Sequence, residues 1–202
     1  MIQPQRSSFL NITTKEISSL TSQSTVVNYP LQSAARIKCA VQIAEGLAHL
    51  YSKNVEWYDA HLANVLKTDD GIVICDFASS FLCPPPFHYP DFVPPAPYAL
   101  PTIHFGQKFS QDIFAFGVIF FVLLTGHFPH ALTSGLNLDA NDCGNFHDKH
   151  EAGEFDSLTH QSFSEFGPLI QKCFLGSYES GKELLSDLKQ LAVTEKGSVA
   201  RD

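Results

Sequence analysis

The sequence predicts a mainly α fold of the α+β class, a single domain with one minor hairpin. Three observations carry that expectation. Apolar residues recur at helical spacing near both ends of the chain, and one twelve-residue run is apolar on every side. Only one stretch pairs two short β-branched runs across an Asp-Gly turn. The size agrees: 202 residues, 44% hydrophobic and 17% charged, hold enough apolar material for one packed core and argue against disorder.

Residues 1–30 are rich in Ser, Thr and Gln and read as a loose arm or remnant. From Ser33, a candidate N-cap, the residues Ile37, Ala40, Val41, Ala44, Leu47 and Ala48 mark one helical face that ends near Ser52. The short piece Val55-Glu56-Trp57 follows. Asn64-Val65-Leu66-Lys67 and Ile72-Val73-Ile74-Cys75 flank Thr68-Asp69-Asp70-Gly71 and predict the hairpin. Eight of the twelve prolines lie in 84–101, which can neither form a helix nor pair as a central strand, so it is a long ordered loop or an extended arm. Ser110 is placed to cap a helix whose body, 113–125, has no polar face and must be surrounded by protein; Gly126 stops it. Residues 131–162 are polar and glycine-bearing, a loop with short helical turns, and 168–175 offers a short helix. The last helix opens with Ser180-Gly181-Lys182-Glu183, at capping-box spacing, and sets Leu184, Leu185, Leu188 and Leu191 on one face. The domain then spans 31–191, with 192–202 as a tail.

Composition excludes several functions. Thirteen basic against twenty-one acidic side chains leave a net charge of −8, the wrong sign for a protein that displaces counterions from nucleic acid. Cys39, Cys75, Cys83, Cys143 and Cys173 form no Cys-x-x-Cys pair and total an odd number, which suits reduced thiols in the cytoplasm, with the nucleus left open. The start lacks a signal peptide's apolar run, so the sequon Asn11-Ile12-Thr13 is incidental. The apolar stretch 113–124 is too short to cross a bilayer, so no membrane partner is expected. Cys143, His147 and His150, and His127 with His130, fit no common zinc spacing and are expected to be solvated loop residues.

Three polar residues carry a sharper expectation. Asp59 follows an apolar stretch, Asn64 comes five residues later, and Asp76 directly follows the second hairpin strand. Two carboxylates and an amide gathered by a hairpin can hold Mg²⁺ through oxygen while one carboxylate orients a hydroxyl, which is what phosphoryl transfer requires. Taken singly, Asp59 is a loop acid and Asp76 a turn former. Taken together they resemble a family. Tyr58-Asp59-Ala60-His61-Leu62-Ala63-Asn64 is similar to the catalytic loop of protein kinases, and Cys75-Asp76-Phe77-Ala78 to the Asp-Phe-Gly that follows it. The helix around Gln42–Leu50 resembles the one before that loop, and Ser110-Gln111-Asp112-Ile113-Phe114-Ala115-Phe116-Gly117-Val118 with Leu124-Thr125-Gly126 resembles the family's central helix. The ordered set covers roughly 31–191, and Cys75-Asp76-Phe77-Ala78-Ser79-Ser80 is also reminiscent of divergent fungal kinases.

The resemblance implies a protein-kinase-like C-terminal lobe using ATP and Mg²⁺ on Ser/Thr hydroxyls of a protein substrate. Asp59 would be the catalytic base and His61 would stand where a lysine faces the γ-phosphate. Asn64 and Asp76 would hold metal and nucleotide, Asp112 would brace the catalytic loop, and Phe77 would help set the active state. The departures are as informative. Trp57 and Tyr58 replace His and Arg, so no cation there can hold a phosphorylated loop, and His61 carries less charge than a lysine at pH 7. Ala78 replaces a hinge glycine. Ala96-Pro97-Tyr98, or alternatively Tyr98-Ala99-Leu100-Pro101-Thr102, stands for Ala-Pro-Glu without its glutamate, and 176–182 lacks the arginine partner. No glycine precedes Gly46, and Lys15, Lys38 and Lys53 are the only lysines before Asp59. The glycine-rich, lysine-bearing N-lobe is therefore expected to be absent, and this chain to be a weak or inactive kinase. Two alternatives stand beside it: a non-catalytic pseudokinase that binds a protein partner, and a small-molecule phosphotransferase of the aminoglycoside or choline kind.

Overall fold

The computed structural model describes residues 33–83, 93–101, 108–131, 140–156 and 161–199. Their elements run α1 (Ser33–Ser52), β1 (Val55–Glu56), a 3-10 turn (Leu62–Asn64), β2 (Val65–Thr68), β3 (Gly71–Ile74), β4 (Phe81–Leu82), α2 (Ser110–Thr125), α3 (Ala140–Glu151), a second 3-10 segment (Gln161–Phe166), α4 (Gly167–Phe174) and α5 (Gly181–Val199). The chain is mainly helical with small sheets, as its periodicities require. The arm at 1–30, the proline-rich stretch 84–92 and the question of an N-lobe lie outside the described residues.

α2 is the axis of the core. Every residue from 110 to 124 is buried, the fate of a helix without a polar face. α1 packs on one side of it and α4 on the other. Gly117 permits the second contact, since a Cβ there would lie 2.7 Å from Cys173 Cβ and 3.0 Å from the Phe174 ring. Gly126 ends the helix at φ 82°, its N–H donating to the Val122 carbonyl at 2.8 Å. The Arg36 guanidinium, reaching over from α1, donates to the Leu123 and Leu124 carbonyls at 2.9 Å each.

The start of α2 departs from expectation. Phe109, not Ser110, is the cap residue, at φ 65° and without a side-chain cap bond, and Ser110 is buried inside the helix. Phe109 stacks on Tyr51 of α1 with centroids 3.9 Å apart. A hydroxyl cap contributes about 1 kcal/mol. Burying a stacked aromatic pair contributes more, so packing sets the helix entry.

α1 buries Ile37, Ala40, Ile43, Ala44, Leu47 and Tyr51. It receives α5 through Leu184 and Leu188, both fully buried, and Lys189 meets Glu45 at 2.7 Å. The predicted capping box forms in altered shape: Glu183 N–H donates to Ser180 Oγ at 3.2 Å, while Glu183 Oε2 accepts from Glu179 N–H at 3.0 Å. The hairpin pairs Val65 with Ile74 and Thr68 with Gly71, leaving Asp69-Asp70 as its turn. Gln42 Oε1 accepts the Ile72 N–H at 3.3 Å and ties the hairpin to α1. A second ladder, Val55 with Leu82 and Glu56 with Phe81, is too short to leave a periodic signal.

Residues 140–151 form one continuous helix where a loop with short helical turns is expected from the sequence. Its polar sequence shows no apolar stripe, because its buried anchors among the described side chains are Phe146 and His150, one turn apart. His150 is fully buried rather than solvated, with ring centroids of Phe146, Phe174, Phe155 and Phe114 at 4.1, 4.8, 5.2 and 5.3 Å. In the proline-rich region, Pro94, Pro97, Tyr98, Leu100 and Pro101 are buried, so its described part is an ordered loop. No helix among the described residues is long and apolar enough to cross a membrane.

Candidate active site

β1 delivers two buried aromatics, Trp57 and Tyr58, and then the chain turns through Tyr58 at φ 68°. That turn frees two adjacent N–H groups from the ladder, and a buried donor must find an acceptor. Asp112 supplies both: Trp57 N–H donates to Oδ2 and Tyr58 N–H to Oδ1, each at 2.7 Å. These bonds are charge-assisted, and Asp112 sits in the first turn of α2, where the helix dipole favours a carboxylate. The all-apolar helix therefore has one buried acid at its head, and that acid fixes the backbone just before Asp59.

Asp59 is gathered with Asn64 and His61. Asn64 Nδ2 donates to the Asp59 carbonyl at 3.0 Å and to its Oδ2 at 3.3 Å. His61 Nδ1 accepts the Ala63 N–H at 3.2 Å, which leaves the proton on Nε2, 3.4 Å from Asp59 Oδ1. The side chains of Asp59 and His61 are 14% and 19% exposed, so the carboxylate is largely covered.

Asp76 joins through backbone. The Asn64 carbonyl accepts the Cys75 N–H at 2.9 Å and its thiol at 3.3 Å, so Asn64 and the residue before Asp76 are locked together. Trp57 Nε1 donates to the Cys75 carbonyl at 3.0 Å and to the Asp76 carbonyl at 2.9 Å. Asp76 sits at φ 55°, a left-handed conformation that Asp tolerates better than most residues, and its Oδ1 accepts the Ala78 N–H at 3.2 Å. Its carboxylate is exposed; Phe77 beside it is 46% exposed, its ring 6.3 Å from that of Trp57.

Two contributors escaped the sequence reading. Trp57 stands in the sequence as part of a short apolar piece and in the place of a motif histidine, yet its indole couples the loop of Asp59 to Asp76. Gln111 is buried; it accepts the Leu100 N–H on Oε1 and donates Nε2 to the Tyr98 carbonyl, both at 2.8 Å. It anchors the loop at 98–100, where the glutamate of the family's ion pair is missing, as its arginine partner is from 176–182. The signal for both was position, a polar atom next to a motif inside an apolar run.

The electrostatics beneath the loop are unusual. Glu56 is 2% exposed, and burial pushes its carboxyl up to about 7, against the pull of the Cys83 thiol, the Phe109 N–H and Lys108. Burial and the charge of Glu56 also push Asp112 upward, while the Trp57 and Tyr58 N–H groups draw it back. The Cys83 thiol, which donates to Glu56 Oε2 at 3.6 Å, is pushed up to about 12, first by burial and then by Glu56.

The donor set fits magnesium. With Nδ2 engaged by Asp59, Asn64 retains Oδ1, and Asp76 adds a carboxylate; one or two such oxygens plus phosphate is the usual Mg²⁺ complement. Among the described residues no three His, Cys, Asp or Glu side chains cluster as a metal cage. For zinc, the side chains of Cys143 and His147 lie outside the described residues. His127 Nδ1 lies 2.9 Å from the Phe128 carbonyl, and His130 Nε2 lies 3.0 Å from that of Glu154. Cys39, Cys75, Cys83 and Cys173 are free thiols.

A family model described as the protein kinase domain matches residues 7–193. The chain is similar to the serine/threonine-protein kinase SBK2 of Mus musculus, 34% identical over 113 residues, covering 49% of this chain and 30% of that protein. It is similar to the probable serine/threonine-protein kinase ECU02_0550 of Encephalitozoon cuniculi, 28% identical over 153 residues, 69% of this chain and 28% of the relative. A probable serine/threonine-protein kinase of Dictyostelium discoideum, MARK-B, is 31% identical over 105 residues, 50% of this chain and 15% of the relative. The chain thus spans less than a third of the length of the curated relatives it matches.

Proposed function

The chain belongs to the protein kinase family, and from that premise we propose that residues 31–191 serve as the C-terminal lobe for ATP- and Mg²⁺-dependent phosphoryl transfer to Ser/Thr hydroxyls of a protein substrate. The observation that carries this reading is Asn64, which reaches the carbonyl and carboxylate of Asp59 with one side of its amide while its backbone carbonyl holds Cys75 beside Asp76. In this role Asp59 accepts the proton of the substrate hydroxyl and orients its oxygen. Asn64 fixes the Asp59 rotamer and offers Oδ1 to metal. Asp76 offers the exposed carboxylate, held in place through Trp57. His61 steadies Asp59, its Nε2 lying 3.4 Å from Asp59 Oδ1. Magnesium, when bound with the nucleotide, supplies neutralisation of phosphate charge.

These 202 residues include no glycine before Gly46, so on this reading the isolated chain transfers phosphate weakly or not at all, and the cytoplasm suits its free thiols. Calorimetric titration of ATP with and without Mg²⁺ tests the site. Mg²⁺-dependent binding that Asp76→Ala abolishes supports it. Binding indifferent to Mg²⁺ or to Asp76→Ala refutes it. A complete lack of binding refutes it in favour of a second reading, a non-catalytic pseudokinase module that acts by binding a protein. That second reading is favoured by the enclosure of the Asp59 carboxylate between Asn64 and His61.

A further inference from the structure

Two neighbouring side chains at the head of α2 reach to different parts of the site. Asp112 holds the Trp57 and Tyr58 N–H groups just before Asp59. Gln111, 2% exposed, commits its whole amide to the segment across from them: Oε1 accepts the Leu100 N–H and Nε2 donates to the Tyr98 carbonyl, each at 2.8 Å. A carbonyl and an N–H two residues apart match a primary amide, which carries one acceptor side and one donor side. A carboxylate would serve only the N–H, and an ammonium only the carbonyl. The amide also places no further charge beside the buried Asp112, so no second ion has to be stripped of water.

Anchoring the loop would require no more than that. Tyr98, however, is held at each of its polar groups. Its N–H donates to the Pro95 carbonyl at 2.8 Å, Gln111 holds its carbonyl, and the Leu62 N–H faces its phenol oxygen. Its buried ring has those of Phe128 and His61 beside it, with centroids 5.7 and 5.9 Å away. Leu62 opens the 3-10 turn that ends in Asn64, and His61 caps that turn. The His61 ring is the piece that meets Asp59: Nε2 lies 3.4 Å from Asp59 Oδ1, while Nδ1 accepts the Ala63 N–H at 3.2 Å.

We propose that Gln111 is a positioning residue for Asp59: its grip on Tyr98 seats the tyrosine ring against His61, which fixes the imidazole and, through it, the carboxylate. What that carboxylate does rests on the kinase reading; the coupling from Gln111 to His61 does not. The head of α2 then secures the site twice. Asp112 acts on the backbone that enters the loop, and Gln111 acts on the side chains that cover it.

The experiment uses the full chain, with NMR of the histidine ring nitrogens and hydrogen exchange at Leu100. We expect His61 in the natural chain to be a single Nε2–H tautomer with ring-to-ring NOEs to Tyr98. Gln111→Met keeps the length of the side chain and removes both hydrogen bonds. In it, Leu100 exchange should quicken about two- to tenfold, the loss of one neutral hydrogen bond. His61 should become a mixture of tautomers with weaker NOEs. Tyr98→Ala should reproduce that mixture, and adding Gln111→Met to it should change His61 no further, because the two act in one chain. Unchanged His61 signals in Gln111→Met reduce Gln111 to a loop anchor and overturn the proposal. So does unchanged exchange at Leu100, or a His61 effect that adds in full to that of Tyr98→Ala. Should Gln111→Met fail to fold, urea below the unfolding transition of the natural chain must release the Leu100 amide and the His61 tautomer together; a His61 that stays fixed after Leu100 opens overturns the proposal. None of these readouts involves nucleotide, so a failed Mg²⁺-ATP titration would refute the kinase reading and leave them untouched.

Discussion

Replacing Asp112 by Asn tests the clamp that positions the candidate site. Asparagine preserves the size of the side chain and one oxygen, but its second arm is an N–H donor. Of the two backbone groups now held at 2.7 Å, Trp57 N–H and Tyr58 N–H, one keeps an acceptor and the other faces a donor. Losing a charged hydrogen bond costs about 1.5–3 kcal/mol, and stranding a buried N–H costs about 1–3 kcal/mol more. At the lower end of these ranges the loss is about 3 kcal/mol, which for a domain of this size lowers the melting temperature by about 6–12 °C. The same free energy, expressed locally, speeds hydrogen exchange at Trp57 and Tyr58 by about a hundredfold. Calorimetric melting combined with residue-resolved exchange measures both. A melting temperature within about 2 °C of the natural chain, with those two amides still protected, would refute the idea that Asp112 holds the loop.

Two further substitutions bear on the same geometry. Trp57→Phe keeps a buried ring but removes the donor to the Cys75 and Asp76 carbonyls; it should cost about 1 kcal/mol in urea unfolding and weaken any Mg²⁺-ATP binding severalfold, and unchanged values in both would remove Trp57 from the site. Gly117→Ala drives a methyl to 2.7 Å from Cys173 Cβ, so α2 and α4 must part at a cost of about 1–3 kcal/mol; a denaturation midpoint equal to that of the natural chain would contradict the packing described.

What the sequence could disclose depended on how local the cause was. The central helix announced itself because thirteen residues without a polar face have no other home. The hairpin did so because Thr68 to Gly71 encodes its own turn. Asp59 and Asn64 lie close in sequence, and their spacing carried weight through its resemblance to the kinase catalytic loop. Other features depend on partners far along the chain. The indole of Trp57 gains its role only when Cys75 and Asp76 fold beneath it, and Gln111 matters because a loop crosses over it. α3 leaves no helical signature because two aromatic anchors, Phe146 and His150, are too few to make a stripe; the rings that receive them come from α2, α4 and the 155 region. The cap at Ser110 failed for the same reason, since the competing partner, Tyr51, lies fifty-eight residues upstream of Phe109.

The pairing of α1 with α5 has a consequence for how the molecule is made. These are the first and last described helices, and each covers the other's apolar face: Leu184 and Leu188 are sealed only once α1 lies against them, and Gly181 brings its backbone under the ring of Tyr51. A ribosome releasing about 5–20 residues each second emits α5 roughly seven to thirty seconds after α1. Throughout that interval the nascent chain carries the loop of Asp59 on a helix with one wall missing, exposing apolar surface to whatever chaperone or neighbour is nearby. The last described helix therefore acts as the latch of biosynthesis, and a nonsense codon shortly before Gly181 would yield a chain with nearly every site residue in place and an unclosed core.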